Sequence, residues 1–558
     1  MTSHTFWTPA QFRAAKLKAE SLIAGLTRKG EPGGMVAVIT QGQLAWQRHW
    51  GLAHMIGHVP NLPGTRHSIG AAAHMLTAAC AWKMAQTGRL DLKTPISAYI
   101  PDTPVLENVT LQHLLNMTSG LPDHDALMQV AGGLPHHGRK VEDYLTLLRK
   151  APSLLFAPGT GYHYADVNML LVAEIITNIG LNDYHATLRD MILSPCNINE
   201  IIHQKHNDTI RPEIAQPYMA TQAGWRTGGT PSILPAISDT ALSLADCIAW
   251  INALRDGQID GTSIAPLWDE TKINDTTPVQ YGMGMMVRRY RGLRLIGHAG
   301  YGNGYAAHIF YAPDLDMGFV VALNQDKDNI VDIFQLLIDI FTAEALPVPP
   351  IPEQAAQNME KARITDASAQ KLNGTYINSE TGRILSLTWA APFLCATMPG
   401  ATQIERLTCN AHGYFSTFWG RPLHLKPVAD ASSSQIVLDA IINGQRQRFV
   451  RVDTLGAPKH NWMDYVGEYM LEQLDARLTL TARSGQVFLR TGGLVNAGWT
   501  TALKPLAQDI FQTADNGPDG VLSAVLQFDR EPHSKVIRQV TVTSENLPLL
   551  TFRKLRSF

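Results

Sequence analysis

The chain has little cysteine, little net charge and no long uninterrupted hydrophobic run. Five cysteines in 558 residues, Cys80, Cys196, Cys247, Cys395 and Cys409, are scattered without metal-ligand spacing. An odd, dispersed set does not build a disulfide framework, so reduced buried thiols are expected. The formal net charge of -2 leaves no basic excess for nucleic acid or for an anionic membrane surface. No uncharged span approaches the roughly 20 apolar residues of a membrane helix. The first residues, MTSHTFWTPAQFRAAKLKAESL, carry charge where a signal peptide has its apolar centre. A soluble, cytoplasmic protein is therefore expected, with neither nucleic acid nor membrane as partner. The hydrophobic content of 45% is ordinary for globular protein. The length is too great for one core and predicts several domains.

The stretch His67 to Leu90, HSIGAAAHMLTAACAWKMAQTGRL, becomes almost wholly apolar after its first residues and closes at Gly88. It predicts a buried helix whose first turn carries Ala71 and His74, three apart and so on one face. Before it, apolar residues at helical spacing predict a helix over Pro9–Leu26, and Met35 to Ile39 predicts a strand that turns at Gln41-Gly42-Gln43 into a second. Further on, a helix is predicted around Ala241 to Leu254, and strands over Leu293 to Ile296, Tyr305 to Tyr311 and Met317 to Leu323. Leu346-Pro347-Val348-Pro349-Pro350-Ile351-Pro352 cannot continue a helix and reads as an extended linker. Beyond it short alternating strands repeat: Asn373-Gly374-Thr375-Tyr376 corresponds to Val466-Gly467-Glu468-Tyr469, and Arg448-Phe449-Val450-Arg451 to Thr551-Phe552-Arg553-Lys554. Two small β-barrels follow from that pattern.

Several segments resemble the serine β-lactamase and penicillin-binding-protein superfamily. Ala71 and His74 stand in the places of its Ser-x-x-Lys pair, with Ile69-Gly70 before them and Gly88-Arg89-Leu90-Asp91-Leu92 after. Val109 to Pro122 is similar to a second recognisable segment. Tyr164-Ala165-Asp166 resembles the Tyr-x-Asn motif with a carboxylate for the amide, and His298-Ala299-Gly300 resembles the His-x-Gly motif. With two barrels behind it, the whole chain resembles the D-aminopeptidase branch.

The resemblance implies an α+β fold: a β-lactamase-like domain over 1–345, a Pro-rich linker over 346–363, and two lipocalin-like antiparallel β-barrels over 364–458 and 459–558. It implies a cleft in which His74, Tyr164, Asp166 and His298 converge as candidate catalytic residues. Ala71 and Gly300 would line its ligand side, Ala71 contributing a backbone oxyanion donor. In that branch a loop of the last barrel enters the cleft, and Thr513 to Gly520 is the candidate here, with Asp515 or Asp519 meeting a ligand amine. The same loop also reads as a plain hairpin turn, given its Asn-Gly and Asp-Gly pairs.

Ala71 offers no nucleophile. Ser68 precedes the predicted helix, and the one literal Ser-x-x-Lys, Ser368 to Lys371, lies past the linker without matching context. His74 beside Asp166 would form a dyad whose imidazole pKa rises toward neutrality or above; a lone histidine on an apolar helix is otherwise a core residue. His74, Asp166 and His298 are admissible ligands for zinc or iron, but the scaffold implies no metal and no cofactor. His136-His137 reads as a solvated loop. Three functions stay open: binding of a small peptide-like or amino-acid-derived ligand without acyl-enzyme chemistry; altered, non-covalent acid–base catalysis by His74, Tyr164, Asp166 and His298; and an inactivated variant of a serine hydrolase. A homodimer is compatible with each.

Overall fold

Apolar and β-branched runs at both ends of the first 342 residues assemble into one antiparallel sheet. Its six strands lie in the order Met286–Tyr290, Leu293–Gly302, Tyr305–Ala312, Met317–Leu323, Gly34–Thr40, Gln43–Trp50. The N-terminal hairpin thus pairs with the last strand of the domain, Val36 opposite Val321. The computed structural model describes residues 7–133, 140–151, 153–180, 182–198, 202–203, 211–229, 234–273, 277–302, 304–342, 346, 365–378, 380–391, 393–398, 405–409, 415–417, 423–429, 436–442, 445–452, 461–493, 498–514, 522–544 and 546–556. His136 and His137, nearly all of the Pro-rich linker, and Asp515 and Asp519 lie outside them.

The central strands are buried along their whole length because helices cover both faces of the sheet. Val36, Val38 and Phe319 pack beneath the helices Pro9–Leu26 and Ile330–Thr342. Met35, Ala37 and Val320 face the opposite way, into a larger core with the helices His74–Gln86, Val167–Ile179 and Leu244–Asp256. This period of two sorts alternate residues of each strand between two cores.

Local chemistry sets the helix ends. Thr8 caps Pro9–Leu26, its hydroxyl accepting from the Gln11 amide while the Gln11 side chain accepts from Thr8. The helix predicted from Ala241 begins instead at Leu244, where Ser243 and Asp246 form a reciprocal cap; Thr240–Leu242 is a strand. The stretch His67 to Leu90 is likewise not helical from its start. His67 and Ser68 pair with Leu242 and Ala241, Gly70–Ala73 is a 3-10 turn, and the α-helix runs from His74 to Gln86. The strand expected to stop at Ile296 continues to Gly302, so His298, Ala299 and Gly300 lie within it.

Two closed eight-stranded barrels follow, over Gly374 to Arg451 and Gly467 to Arg556, with consecutive strands adjacent in each. The sequence repeat has a structural counterpart. Tyr376 and Tyr469 are fully buried, and each hydroxyl donates to the carbonyl four residues earlier, Leu372 and Tyr465, at 2.9 Å. Each lies on a first strand that pairs with the last, Tyr376 opposite Arg451 and Tyr469 opposite Lys554. The second barrel is tied to the first domain through the helix His124–Val130. The Leu522 amide donates to Gln129 Oε1 at 2.6 Å, and Trp499 Nε1 donates to the Gln129 carbonyl at 3.1 Å.

Candidate active-site cleft

The turn bearing Ala71 is pressed against the strand bearing Gly300. A Cβ on Gly300 would stand 1.8 Å from the Ile69 carbonyl oxygen and 2.9 Å from the Ala71 nitrogen, so only glycine fits. Gly70 makes the break before the turn with φ +54, a left-handed conformation that costs little without a Cβ. In a 3-10 turn residues three apart eclipse. Ala71 and His74 therefore share a face.

His74 is fully buried, and three of the predicted residues surround it. Its Nδ1 lies 3.3 Å from the Tyr164 hydroxyl, its Nε2 3.7 Å from Asp166 Oδ1, and its ring 5.1 Å from that of His298. Ala71, His74, Tyr164, Asp166, His298 and Gly300 are thus brought together.

Electrostatics overturns one expectation. His74 does not gain basicity from Asp166: burial, reinforced by His298, holds its pKa well below the ordinary imidazole value. At 3.7 Å the carboxylate makes no hydrogen bond that would offset the lost hydration. His298 is likewise held neutral by burial, with its pKa lowered to about 3. Its Nδ1–H donates to the Ala299 carbonyl at 2.7 Å, so its Nε2 accepts from the Tyr281 hydroxyl at 3.3 Å. Burial raises Tyr164 well above the usual phenol value, keeping its proton on. It also raises Asp166, against the favourable influence of His124 and of the Tyr164 hydroxyl.

Sequence reasoning missed Tyr281, His124 and the support of the Tyr164 turn. Ser119 Oγ donates to Asn168 Oδ1 at 2.6 Å, and Asn168 Nδ2 donates to the Ala165 carbonyl at 2.8 Å, fixing the residue between Tyr164 and Asp166. Ser119 thereby braces the Tyr164 turn through Asn168. Asp166 stands at the start of the helix Val167–Ile179 without capping it, which leaves its partly exposed carboxylate for the cleft. Ser368 has a structural task far away, in an exposed reciprocal cap with Thr365. Among the described residues no group of three His, Cys, Asp or Glu side chains is arranged to hold a metal ion. No helix among them is long and apolar enough to cross a membrane.

The Beta-lactamase family profile matches residues 19–336, more than half of the chain. The chain belongs to the beta-lactamase family. It is similar to the D-aminopeptidase of Cereibacter sphaeroides (strain ATCC 17029 / ATH 2.4.9), 25% identical over 500 residues that cover 86% of this chain and 87% of that one. It is similar to the D-aminopeptidase of Gluconobacter oxydans (strain 621H), 23% identical over 498 residues, with 86% and 87% covered. In fold it matches the octameric penicillin-binding protein homologue from Pyrococcus abyssi, with a TM-score of 0.53 and 20% identity, over 78% of this chain and all of that one.

Proposed function

We propose that this beta-lactamase-family protein binds a small peptide-like or amino-acid-derived amide or ester in its cleft without forming an acyl-enzyme. The observation that carries the reading is the methyl group of Ala71 at the turn where the family's chemistry needs a hydroxyl, beside a buried, neutral His74. A methyl group has no electron pair to attack with. Asp166 supplies the complementary feature, a partly exposed carboxylate suited to the free amine of an amino-acid derivative. The D-aminopeptidase names of the relatives make a D-residue the first choice of ligand.

Acid–base catalysis by His74 on water is less well served. A general base works best with a pKa near the operating pH, and burial moves His74 far below it.

The test is calorimetry with D- and L-alaninamide and phenylalaninamide, paired with product analysis and with intact-mass measurement after β-lactam and fluorophosphonate treatment. Saturable binding, no turnover and an unchanged mass are expected. Asp166→Asn should weaken binding of the amines by about 1.5–3 kcal/mol, the scale of a charged hydrogen bond. A stoichiometric adduct on a first-domain serine, or steady hydrolysis of the amides, would sink the reading.

A further inference from the structure

A second cleft lies where all three domains meet, and none of Ala71, His74, Tyr164, Asp166 or His298 lines it. It is partly open to solvent. Phe156 from the first domain, Met398, Ile442 and Phe449 from the first barrel and Val525 from the second form apolar walls. Ligand sites favour such domain junctions, with few polar groups set among apolar ones.

One cation stands in that apolar setting. Arg383 is partly buried there, and burial lowers its pKa. Among the described residues the lining holds no Asp or Glu. A guanidinium partly withdrawn from water gains from a counter-charge, and buried cations are ordinarily paired. A second polar group lies close by. Thr543, also in the lining, is 2% exposed, and its Oγ1 has no hydrogen-bond partner among the described residues. That hydroxyl borders Gly382, next to Arg383: a Cβ on Gly382 would lie 3.2 Å from it.

We propose that this junction is a binding site for a small carboxylate carrying an apolar group, the carboxylate held by Arg383 with the Thr543 hydroxyl as a further donor. One guanidinium matches one carboxylate in charge and in its two-oxygen geometry. The apolar walls take the tail. The site is separate from the cleft of His74 and does not depend on the function proposed for it. It shares a wall with that cleft, because Tyr162 lines the junction while its ring packs 5.9 Å from Tyr281, the partner of His298.

Calorimetry on the full chain with octanoate as probe tests the assignment, with octanamide and octyl sulfate as comparisons. One octanoate per chain is expected. Arg383→Gln should weaken it by about tenfold or more, Arg383→Lys by less, and Thr543→Val by a few-fold, since a charge-assisted hydrogen bond outweighs a neutral one. Thermal unfolding and circular dichroism would establish that each variant is folded. If Arg383→Gln does not fold, the Thr543→Val and Arg383→Lys losses and the preference over octanamide decide. Octanamide binding as tightly as octanoate would overturn the role of Arg383, and octyl sulfate binding as tightly would overturn the carboxylate assignment. Unchanged affinity in folded Arg383→Gln, or no saturable octanoate binding, would overturn the site.

Discussion

Nε2 of His74 and Oδ1 of Asp166 face each other across 3.7 Å, and among the described residues neither has a hydrogen-bond partner. Both atoms are buried in positions where an unmade hydrogen bond costs about 1–3 kcal/mol. They are a pair of groups suited to a ligand's amide or amine, and they also set the terms on which catalysis could be restored.

Putting serine and lysine into the cleft should not suffice. In a pocket as buried as that of His74, desolvation would favour a neutral amine able to take a serine's proton, but Asp166 nearby would hold it charged. Ala71→Ser with His74→Lys should therefore give weak esterase activity at most, and adding Asp166→Asn should raise kcat by about a hundredfold or more, the low end of what one positioned acid–base group contributes. Activity of the double and triple variants on ester and D-amino-acid amide panels checks this. A triple variant no faster than the double would show that Asp166 does not control the base.

Stability should fall with acid because several imidazoles are buried neutral. His67, His298 and His308 have pKa values lowered to about 3 by burial, against 6.5 for an exposed imidazole. Between those values the unfolded chain binds more protons than the folded one, so stability is full above pH 6.5 and is lost as pH falls toward 3. Each such histidine contributes up to about 1.4 kcal/mol per pH unit in that window. Both His67 nitrogens are buried without hydrogen-bond partners among the described residues, so His67→Leu should be near neutral at pH 7 and should flatten the decline. Urea midpoints at pH 7, 6 and 5 for both proteins measure it. Parallel curves would mean that His67 is already hydrated when folded.

Gly300→Ala should be severe. The added methyl would overlap the Ile69 carbonyl and crowd two amides of the turn, so the strand or the turn must move. A loss of about 1–3 kcal/mol or more is expected from such overpacking, with weaker ligand binding at the displaced Ala71 amide. Denaturation and calorimetry on the same sample report both. Wild-type values in both would mean that the turn yields freely.

The distance between partners in sequence decided what could be read ahead of the structure. The helix Pro9–Leu26 and the strands Tyr305–Ala312 and Met317–Leu323 were legible because their signals are local: helical spacing, a Pro near the start, and continuous apolar runs. The barrel repeat was legible through Tyr376 and Tyr469, which do the same work in each copy. The start of the α-helix at His74 was not, since Gly70–Ala73 forms a 3-10 turn pressed against the strand of Gly300. Resemblance to the family's motifs singled out Ala71, His74, Tyr164, Asp166 and His298. It could not give the sign of the His74 shift, which depends on complete burial and on a gap to Asp166 too long for a hydrogen bond. Tyr281 carried no motif, and only its contact with His298 reveals it.

The loop that would contribute Asp515 and Asp519 lies outside the described residues, but its downstream end is anchored. Leu522 donates to Gln129 on the helix His124–Val130, and that helix begins with His124, an electrostatic neighbour of Asp166. Thr513, just upstream, accepts from the Ala524 amide and donates to the Leu522 carbonyl, each at 2.9 Å, which holds the two ends together. The sequence reading has this loop bring a carboxylate to the free amine of a ligand. If it does, Asp515→Asn or Asp519→Asn should weaken binding of D-alaninamide by about 1.5–3 kcal/mol, as for a charged hydrogen bond, and Gln129→Ala should weaken it as well by loosening the anchor. Stability separates the two effects: Gln129→Ala should also cost about 1–3 kcal/mol by orphaning the Leu522 amide, whereas the aspartate variants should leave unfolding unchanged. Calorimetry and urea unfolding on the three single variants give the answer. Unchanged affinity in both aspartate variants would confine ligand recognition to the first domain and leave the loop as a hairpin turn.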